Sequence, residues 1–341
     1  MRELYVVVNE KIFYEDNIYF CENKDIQSII DYLSKKFKLF LISRSSKFVQ
    51  PFKLKSVYRN SIFQIKKIIK FLFFFFNLQK NNKKLLIISI TPFNFIIFLF
   101  FKFFFNCKFY LYLRSNGHEE YQNILGKRYV WIYDIMFRYT AKYSEIITCH
   151  KRLYNNKCHI LYPSELNIKW KVGIKKNNFN NNIINLLYVG RFKVEKGIYS
   201  LLNIFPKLQN NIKLTLVGSG DPIQFLDSRI SVVDFVEREN QLINIYDSAN
   251  ILILPSYTEA HPKVIDEALS RMRPVIIFND IKYVIQDRYG VFSIKRNPIE
   301  LARVIHYIRR NNQLIYSQLK KNILPQRNVF LKNLYKIISS N

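Results

Sequence analysis

The sequence predicts an α/β protein built from two doubly wound domains, and three observations carry that reading. Strand-length apolar runs alternate with segments whose apolar residues recur at helical spacing, the pattern of parallel sheets covered by helices. Several of the strand runs, such as LLIISI and ILILP, are apolar on both faces, as strands in the middle of a sheet must be. At 341 residues the chain can form two cores, and a polar, Asn-rich stretch at 166–183 separates the two alternating halves.

Residues 1–165 are read as the first domain. YVVV at 5–8 is its opening strand. Ile26, Ile29, Ile30, Leu33 and Phe37 fall on one helical face, and KLFLIS follows as the next strand. KKLLIISI, FNFIIFLFFKFFF and KFYLYLR then read as strand, helix and strand, with Pro92 suited to the first helical turn. IITC and HILYP supply further strands. The uncharged run from Leu85 to Phe101 is thereby divided between a strand and a helix, and is not read as a membrane span. No glycine precedes Gly117, so this half has no dinucleotide-type glycine loop.

Residues 166–183 are expected as the linker. The second domain, 184–325, opens with the strand INLLYVG. A helical face carrying Ile198, Leu201, Leu202, Phe205 and Leu208 comes next, followed by the strand IKLTLVG. ISVVDFV, ANILILP and PVIIF are further strands, with QLINIYDSA and PKVIDEALSRM as the helices between them. The basic segment at 326–341 is expected as a C-terminal helix packing back toward the first domain.

Charge limits the choice of partners. Fifty-three Lys and Arg against 25 Asp and Glu leave a net +28, which calls for an anionic partner. Between Asp31 and Glu119 there are 17 basic residues and no acidic one. The segments IKKIIKFLFFFF and FNFIIFLFFKFFF, nearly apolar all round and flanked by lysines, are read as helices resting on an anionic lipid surface. Single-strand nucleic-acid binders interleave aromatic and basic residues on an open face. Here the phenylalanines form continuous apolar runs, so nucleic acid is not the expected partner. Cys21, Cys107, Cys149 and Cys158 form no C-x-x-C pair and read as reduced thiols. The N-terminus lacks the long apolar core of a signal peptide.

Three clusters with chemical character stand at carboxyl ends of strands in the second half. They are Gly190-Arg191 with Lys196-Gly197, then Gly218-Ser219-Gly220-Asp221, then SYTEAHPKVIDEAL from Ser256 to Leu269. Ligands of doubly wound domains bind at such ends. In this order and spacing the clusters resemble the retaining glycosyltransferases of family 4, most closely over residues 184–310. LLYVGRFKVEKG resembles the family's strand–Gly–Arg–x–x–x–x–Lys–Gly element, and LTLVGSGD its glycine-rich turn. Glu259 and Glu267, with seven residues between them, match its paired acidic residues.

The resemblance implies the GT-B fold, in which two doubly wound Rossmann-like domains face a central cleft. It implies a nucleotide-sugar donor as co-substrate, no further cofactor, and retention of configuration without a protein nucleophile. The implied catalytic residues are Arg191, Lys196 and Glu259. A diphosphate leaving group gathers negative charge in the transition state, and Arg191 and Lys196 are the cations placed to meet it. The donor site would comprise Gly190, Gly218, Gly220, Ala260, His261, Pro262, Lys263, Val264 and Glu267, with Glu267 accepting ribose hydroxyls. Pro262 suits the first position of a helix whose amino end can receive the donor phosphate. No Asp-x-Asp occurs, so the chemistry reads as metal-independent.

The chain also departs from the family. Ala260 and His261 replace the usual glycine and its successor, Met272 stands where glycine is frequent, and Asp280–Tyr283 replaces a Gly-Gly turn. In the first domain, Arg114, Asn116 and His118 follow the strand KFYLYL as candidates for acceptor or donor-sugar contacts. The expected function is sugar transfer to a lipid-linked or lipid-anchored glycan in bacterial surface-polysaccharide assembly (capsule, O-antigen or lipooligosaccharide). The expected location is peripheral, on the cytoplasmic face of the inner membrane. The alternative is a non-catalytic membrane-surface protein on a decayed transferase fold.

Overall fold

In a computed structural model, residues 2–16, 18–48, 52–54, 62–64, 83–179, 182–225 and 227–340 are described. The chain divides into two units: Met1–Pro163 together with Asn328–Asn341, and Ser164–Arg327.

The first unit is organised around β1 (Glu3–Glu15). Its other strands are β2 (Ile18–Cys21), β3 (Lys38–Ser45), β4 (Phe52–Leu54), β5 (Ile62–Gln64), β6 (Lys83–Ile88), β7 (Cys107–Leu113), β8 (Ser144–Thr148) and β9 (His159–Ile160). The parallel order among the described residues is β5-β3-β1-β6-β7-β8-β9. Leu4 to Val8 are wholly buried because the sheet is covered on both faces. Leu4, Val6 and Val8 join one core, and Tyr5 and Val7 join the other. Each such aliphatic side chain contributes about 1.5–3 kcal/mol on burial.

The first strand does not end after YVVV. It runs on through Asn9, Glu10 and Lys11 and pairs antiparallel with β2, Ile12 opposite Cys21 and Glu15 opposite Ile18. The alternation in KIFYE supports that hairpin, and Asp16 takes a positive φ of 47° at its turn.

The run from Leu85 onward divides as its composition indicated. Thr91 caps the helix Pro92–Phe104 by accepting from the Asn94 amide at 3.2 Å, and Pro92 occupies its first turn. The buried Asn94 side chain donates from its Nδ2 to the Ile88 and Ser89 carbonyls at 2.9 and 2.8 Å, fixing the helix start to the end of β6. Ile97, Phe98 and Phe101 face the core, while Ile96, Phe103 and Phe104 are exposed. No helix among the described residues is long and apolar enough to cross a membrane. The other segment assigned to lipid, IKKIIKFLFFFF, lies outside the described residues.

The C-terminal helix Arg327–Ser339 places Phe330, Leu331, Leu334 and Ile338 in the first unit's core. Lys84 donates to the Ile338 and Ser340 carbonyls at 2.6 and 3.1 Å, a cation at the negative end of that helix. Burial, with Arg2 and Lys108 nearby, draws the Lys84 pKa down.

The second unit holds a six-stranded parallel sheet among the described residues. Its strands are β10 (Ile184–Val189), β11 (Ile212–Val217), β12 (Ile230–Val233), β13 (Ile251–Leu254), β14 (Val275–Phe278) and β15 (Val291–Ile294). Their order is β12-β11-β10-β13-β14-β15, so the winding reverses between β10 and β13.

The stretch expected as a linker is part of this unit. Trp170 is buried and donates to Glu239 at 3.0 Å. Arg271 donates to the Trp170, Val172 and Gly173 carbonyls at 3.0, 2.9 and 2.8 Å, and holds Asp247 through two further bonds of 2.9 and 2.6 Å. Asn177 and Asn250 exchange hydrogen bonds. Polar composition suggested solvent, but these groups satisfy one another inside the fold. The division between the units accordingly falls at Pro163.

Candidate functional site

The carboxyl ends of β10 and β13 come together at the reversal of the sheet. Gly197 makes the close approach possible. Its φ is +68°, and a Cβ there would lie 1.9 Å from the Pro255 carbonyl oxygen. Beyond it, the Tyr257 amide donates to the Glu195 carbonyl at 3.0 Å, joining the two loops.

Across this junction Lys196 donates to Glu259 at 2.7 Å, and Ser256 donates to the same carboxylate oxygen at 2.7 Å. The pair is mostly buried, with side chains 21% and 11% exposed. Arg191 is placed differently. Its guanidinium is largely in solvent, 3.7 Å from Glu195, so of the two expected cations only Lys196 engages the acidic loop.

The loops after β10 and β11 are also joined. The Phe192 amide donates to the Ser219 carbonyl at 2.9 Å, and the Asp221 amide to the Phe192 carbonyl at 2.8 Å. Lys193 bonds Asp221 at 2.7 Å. Gly218 has a φ of +147°, and a Cβ on it would meet the Gly190 carbonyl oxygen at 2.0 Å. A Cβ on Gly220 would meet the Phe192 carbonyl oxygen at 2.5 Å. These glycines therefore bring loop backbone together, which a side chain would prevent.

The helix Lys263–Ser270 starts one residue later than the sequence suggested. Pro262 is its N-cap, not its first residue, with φ −75° and ψ 101°. The Pro262 carbonyl accepts from the Ile265 amide at 3.1 Å, so the proline closes the first turn from outside. Lys263 and Val264 form that turn, with no side-chain cap above them. Ala260 lies in the half-buried loop just before.

Glu267 sits in the helix and accepts from the Tyr246 hydroxyl at 2.7 Å. Burial, and then the Glu267 charge, push the Tyr246 pKa well above its ordinary value. Tyr246 therefore stays a neutral donor to the carboxylate.

His261 faces inward. Its ring lies 3.1 Å from Asp266, both side chains 2% exposed, and Arg288 binds Asp266 through two bonds of 2.7 and 3.2 Å. Burial raises the Asp266 pKa, but the His261 bond and then Arg288 outweigh it and hold the carboxyl below the ordinary range.

Tyr283, Arg288 and Arg296 were not legible as site residues. Tyr283 accepts from the Glu259 amide at 3.1 Å and donates to the Glu259 carbonyl at 2.6 Å. Arg296 donates to the Pro255 carbonyl and the Ser200 hydroxyl at 2.8 and 2.7 Å. It pairs with Asp280 at 2.7 Å, between the rings of Tyr257 and Phe278. The only hint in the sequence was Asp280–Tyr283 replacing the expected glycine turn.

In the first unit the three candidates have local partners. Arg114 binds Glu10 at 2.7 Å and lies 3.9 Å from Asp25. Asn116 caps the helix Gly117–Leu125. His118 lies 3.4 Å from Asp134 and packs edge-on against Tyr133 and Phe137. Among the described residues no group of three or more His, Cys, Asp or Glu is placed to hold a metal ion.

The model of the family described as glycosyl transferases group 1 matches residues 184–311. An uncharacterized glycosyltransferase of Methanocaldococcus jannaschii is 26% identical over 196 residues, 48% of this chain and 50% of that protein. One of Haemophilus influenzae is 28% identical over 210 residues, 53% and 56% of the two chains. The chain thus spans about half the length of the curated relatives it matches.

Among solved structures, sucrose-phosphate synthase from Thermosynechococcus elongatus superposes with a TM-score of 0.70 at 15% identity, covering 99% of this chain and 98% of that one. HepE of Anabaena, in complex with UDP-glucose, gives 0.70 at 12% identity over the whole of both chains. WaaG, a glycosyltransferase involved in lipopolysaccharide biosynthesis, gives 0.64 at 13% identity, covering 99% and 100%. The two parallel-sheet units therefore match the GT-B fold of these structures, and residues 184–311 match the glycosyl transferases group 1 model.

Proposed function

We propose that the protein is a retaining, metal-independent glycosyltransferase of family 4 type. It moves a sugar from a nucleotide-sugar donor to a lipid-linked or lipid-anchored glycan, acting peripherally at the cytoplasmic face of a bacterial inner membrane. The observation that carries this reading is the Lys196–Glu259 pair at 2.7 Å, where the sheet's winding reverses. One partner is the cation a departing diphosphate needs, and the other accepts from sugar hydroxyls.

In this reading the ribose hydroxyls bond Glu267, which Tyr246 holds in place. The donor phosphates lie at the start of the helix Lys263–Ser270, where the helix dipole favours negative charge. Glycosidic cleavage leaves the bonding electrons on the diphosphate, and Lys196 stabilises that charge. Arg191, in solvent in this structure, turns toward the phosphate when donor binds. The leaving phosphate takes the acceptor's proton as the acceptor oxygen bonds the anomeric carbon on the same face. No protein nucleophile is required.

Membrane contact rests on the first unit, where Phe103 and Phe104 are exposed beside Lys102. WaaG's part in lipopolysaccharide biosynthesis supports the choice of pathway.

A thermal-shift panel of nucleoside diphosphates and nucleotide sugars tests the donor site, on the wild type and on Glu267→Gln. One nucleotide class is expected to raise the melting temperature of the wild type and to lose most of that effect in the variant. A flat response across the panel would instead favour a transferase fold without the activity. Sedimentation with phosphatidylglycerol or phosphatidylcholine vesicles tests the membrane contact, and retention on the anionic vesicles alone is expected.

A further inference from the structure

The loop Ser256–Pro262 carries Glu259 but lies outside any strand or helix, so its backbone polar groups need partners from elsewhere. Tyr283 supplies them. One phenolic oxygen accepts from the Glu259 amide at 3.1 Å and donates to the Glu259 carbonyl at 2.6 Å, both bonds to the same residue. The residue comes from the short helical segment Asn279–Val284, which follows β14 and so lies beside the loop after β13.

The loop's start is held from the same side. Arg296 donates to the Pro255 and Ser256 carbonyls at 2.8 and 3.4 Å, and its guanidinium lies 4.1 Å from the centre of the Tyr257 ring. Arg296 follows β15, and Asp280 pairs with it at 2.7 Å, so the segment that carries Tyr283 also bonds the second tether. With its backbone fixed at both points, the Glu259 carboxylate is directed onto Lys196 and Ser256.

We infer that Tyr283 is a positioning residue: its hydroxyl holds the Glu259 backbone so that the carboxylate faces the transferred sugar, while the nucleotide is bound independently through Glu267. This rests on the donor-site reading above. It assigns a task to the segment that replaces the glycine turn, and makes the loop's geometry depend on a side chain.

Tyr283→Phe removes one oxygen and keeps the ring. In the ligand-free protein, amide hydrogen exchange over residues 257–261 is expected to quicken at least tenfold, with β13 and β14 unchanged. Binding is then compared for UDP and UDP-glucose, or for whichever nucleotide and sugar-nucleotide pair stabilises the wild type. The variant should keep its affinity for the nucleoside diphosphate within about twofold. Its affinity for the nucleotide sugar should fall about tenfold, the size expected for losing well-placed bonds from a carboxylate. A purely structural role would weaken both ligands alike.

Unchanged exchange in the loop, or equal losses for the two ligands, would overturn the inference. If the wild type binds no pair, the donor-site reading fails, while the exchange result still decides whether the hydroxyl holds the loop. Arg296→Lys, which keeps charge but loses the planar fork, should loosen residues 255–257 and provides a second variant.

Discussion

Lys196 and Glu259 are 63 positions apart in sequence and 2.7 Å apart in space, with Gly197 beside them packed onto the Pro255 carbonyl. The charge pair and the close backbone approach depend on each other. The loops meet because position 197 has no side chain, and the meeting puts an ammonium beside a carboxylate.

Removing either charge should therefore affect more than its own contact. Lys196→Met is expected to lower kcat for sugar transfer about a hundredfold or more, the scale for losing a transition-state charge partner. Glu259→Gln should cost a comparable factor. The double variant should lose less than the product of the two, because each single change strands the other group. Steady-state kinetics on all four proteins checks this, and strictly multiplicative losses would show that the two side chains act separately.

Gly197→Ala should be poorly tolerated although it adds only a methyl group. The left-handed backbone and the contact with Pro255 together cost about 2 kcal/mol or more. Urea unfolding would show a lower midpoint, and donor binding would fall with it as the loops separate. A variant with wild-type stability would mean that the junction is looser than its geometry indicates.

The buried Arg271–Asp247 pair should matter for stability alone. Arg271→Ala leaves the Asp247 carboxylate with only Arg273, 3.9 Å away, and three carbonyls of residues 170–173 without their donor. Breaking such a pair costs about 3–5 kcal/mol. Limited proteolysis should then cut within 167–176 first, and nucleotide binding measured below the melting temperature should survive.

The Asp266 carboxyl gives a pH dependence of definite sign. Its pKa is lowered in the fold, so it contributes stability above the unfolded value near pH 4. That contribution is lost as pH falls through the lower folded value. Asp266→Asn should be less stable at pH 7, and its stability should fall less than the wild type's between pH 5 and 3. Parallel stability curves for the two proteins would exclude the linkage.

Three of the four cysteine thiols are pushed up to about 12 by burial: Cys21, Cys107 and Cys149. They should react slowly with a disulfide reagent at pH 8 in the folded protein and rapidly after unfolding. Fast labelling of Cys149 under native conditions would contradict its buried place.

Much of the second sheet was legible because buried parallel strands are written as continuous apolar runs, and Gly190, Gly218 and Gly220 mark their ends. Glu259 and Glu267 were singled out through the family resemblance, and the fold puts the first in the loop after β13 and the second in the helix that follows. The polar stretch from Asn167 was not read as part of the fold, because its role depends on Arg271, about a hundred residues later. Tyr283 and Arg296 were missed for the same reason: their hydrogen bonds go to backbone, which carries no signature at the accepting residue. Composition could not show that β1 bends into a hairpin, since Asn9-Glu10-Lys11 reads equally as a turn.

The return of the last helix to the first unit orders events during synthesis. Where the chain passes into the second unit and out again, the two passing segments are bonded to each other: the Ser164 hydroxyl to the Pro325 carbonyl at 2.7 Å, and the Arg327 amide to the Leu166 carbonyl at 2.9 Å. Ribosomes release the second unit's residues as one uninterrupted stretch, so it can close as soon as Arg327 emerges. The first unit, begun earlier, waits with an open core face until Phe330, Leu331, Leu334 and Ile338 arrive. The half that is translated first is therefore finished last, and a nascent chain stalled before Phe330 would carry a completed C-terminal unit on an unfinished N-terminal one.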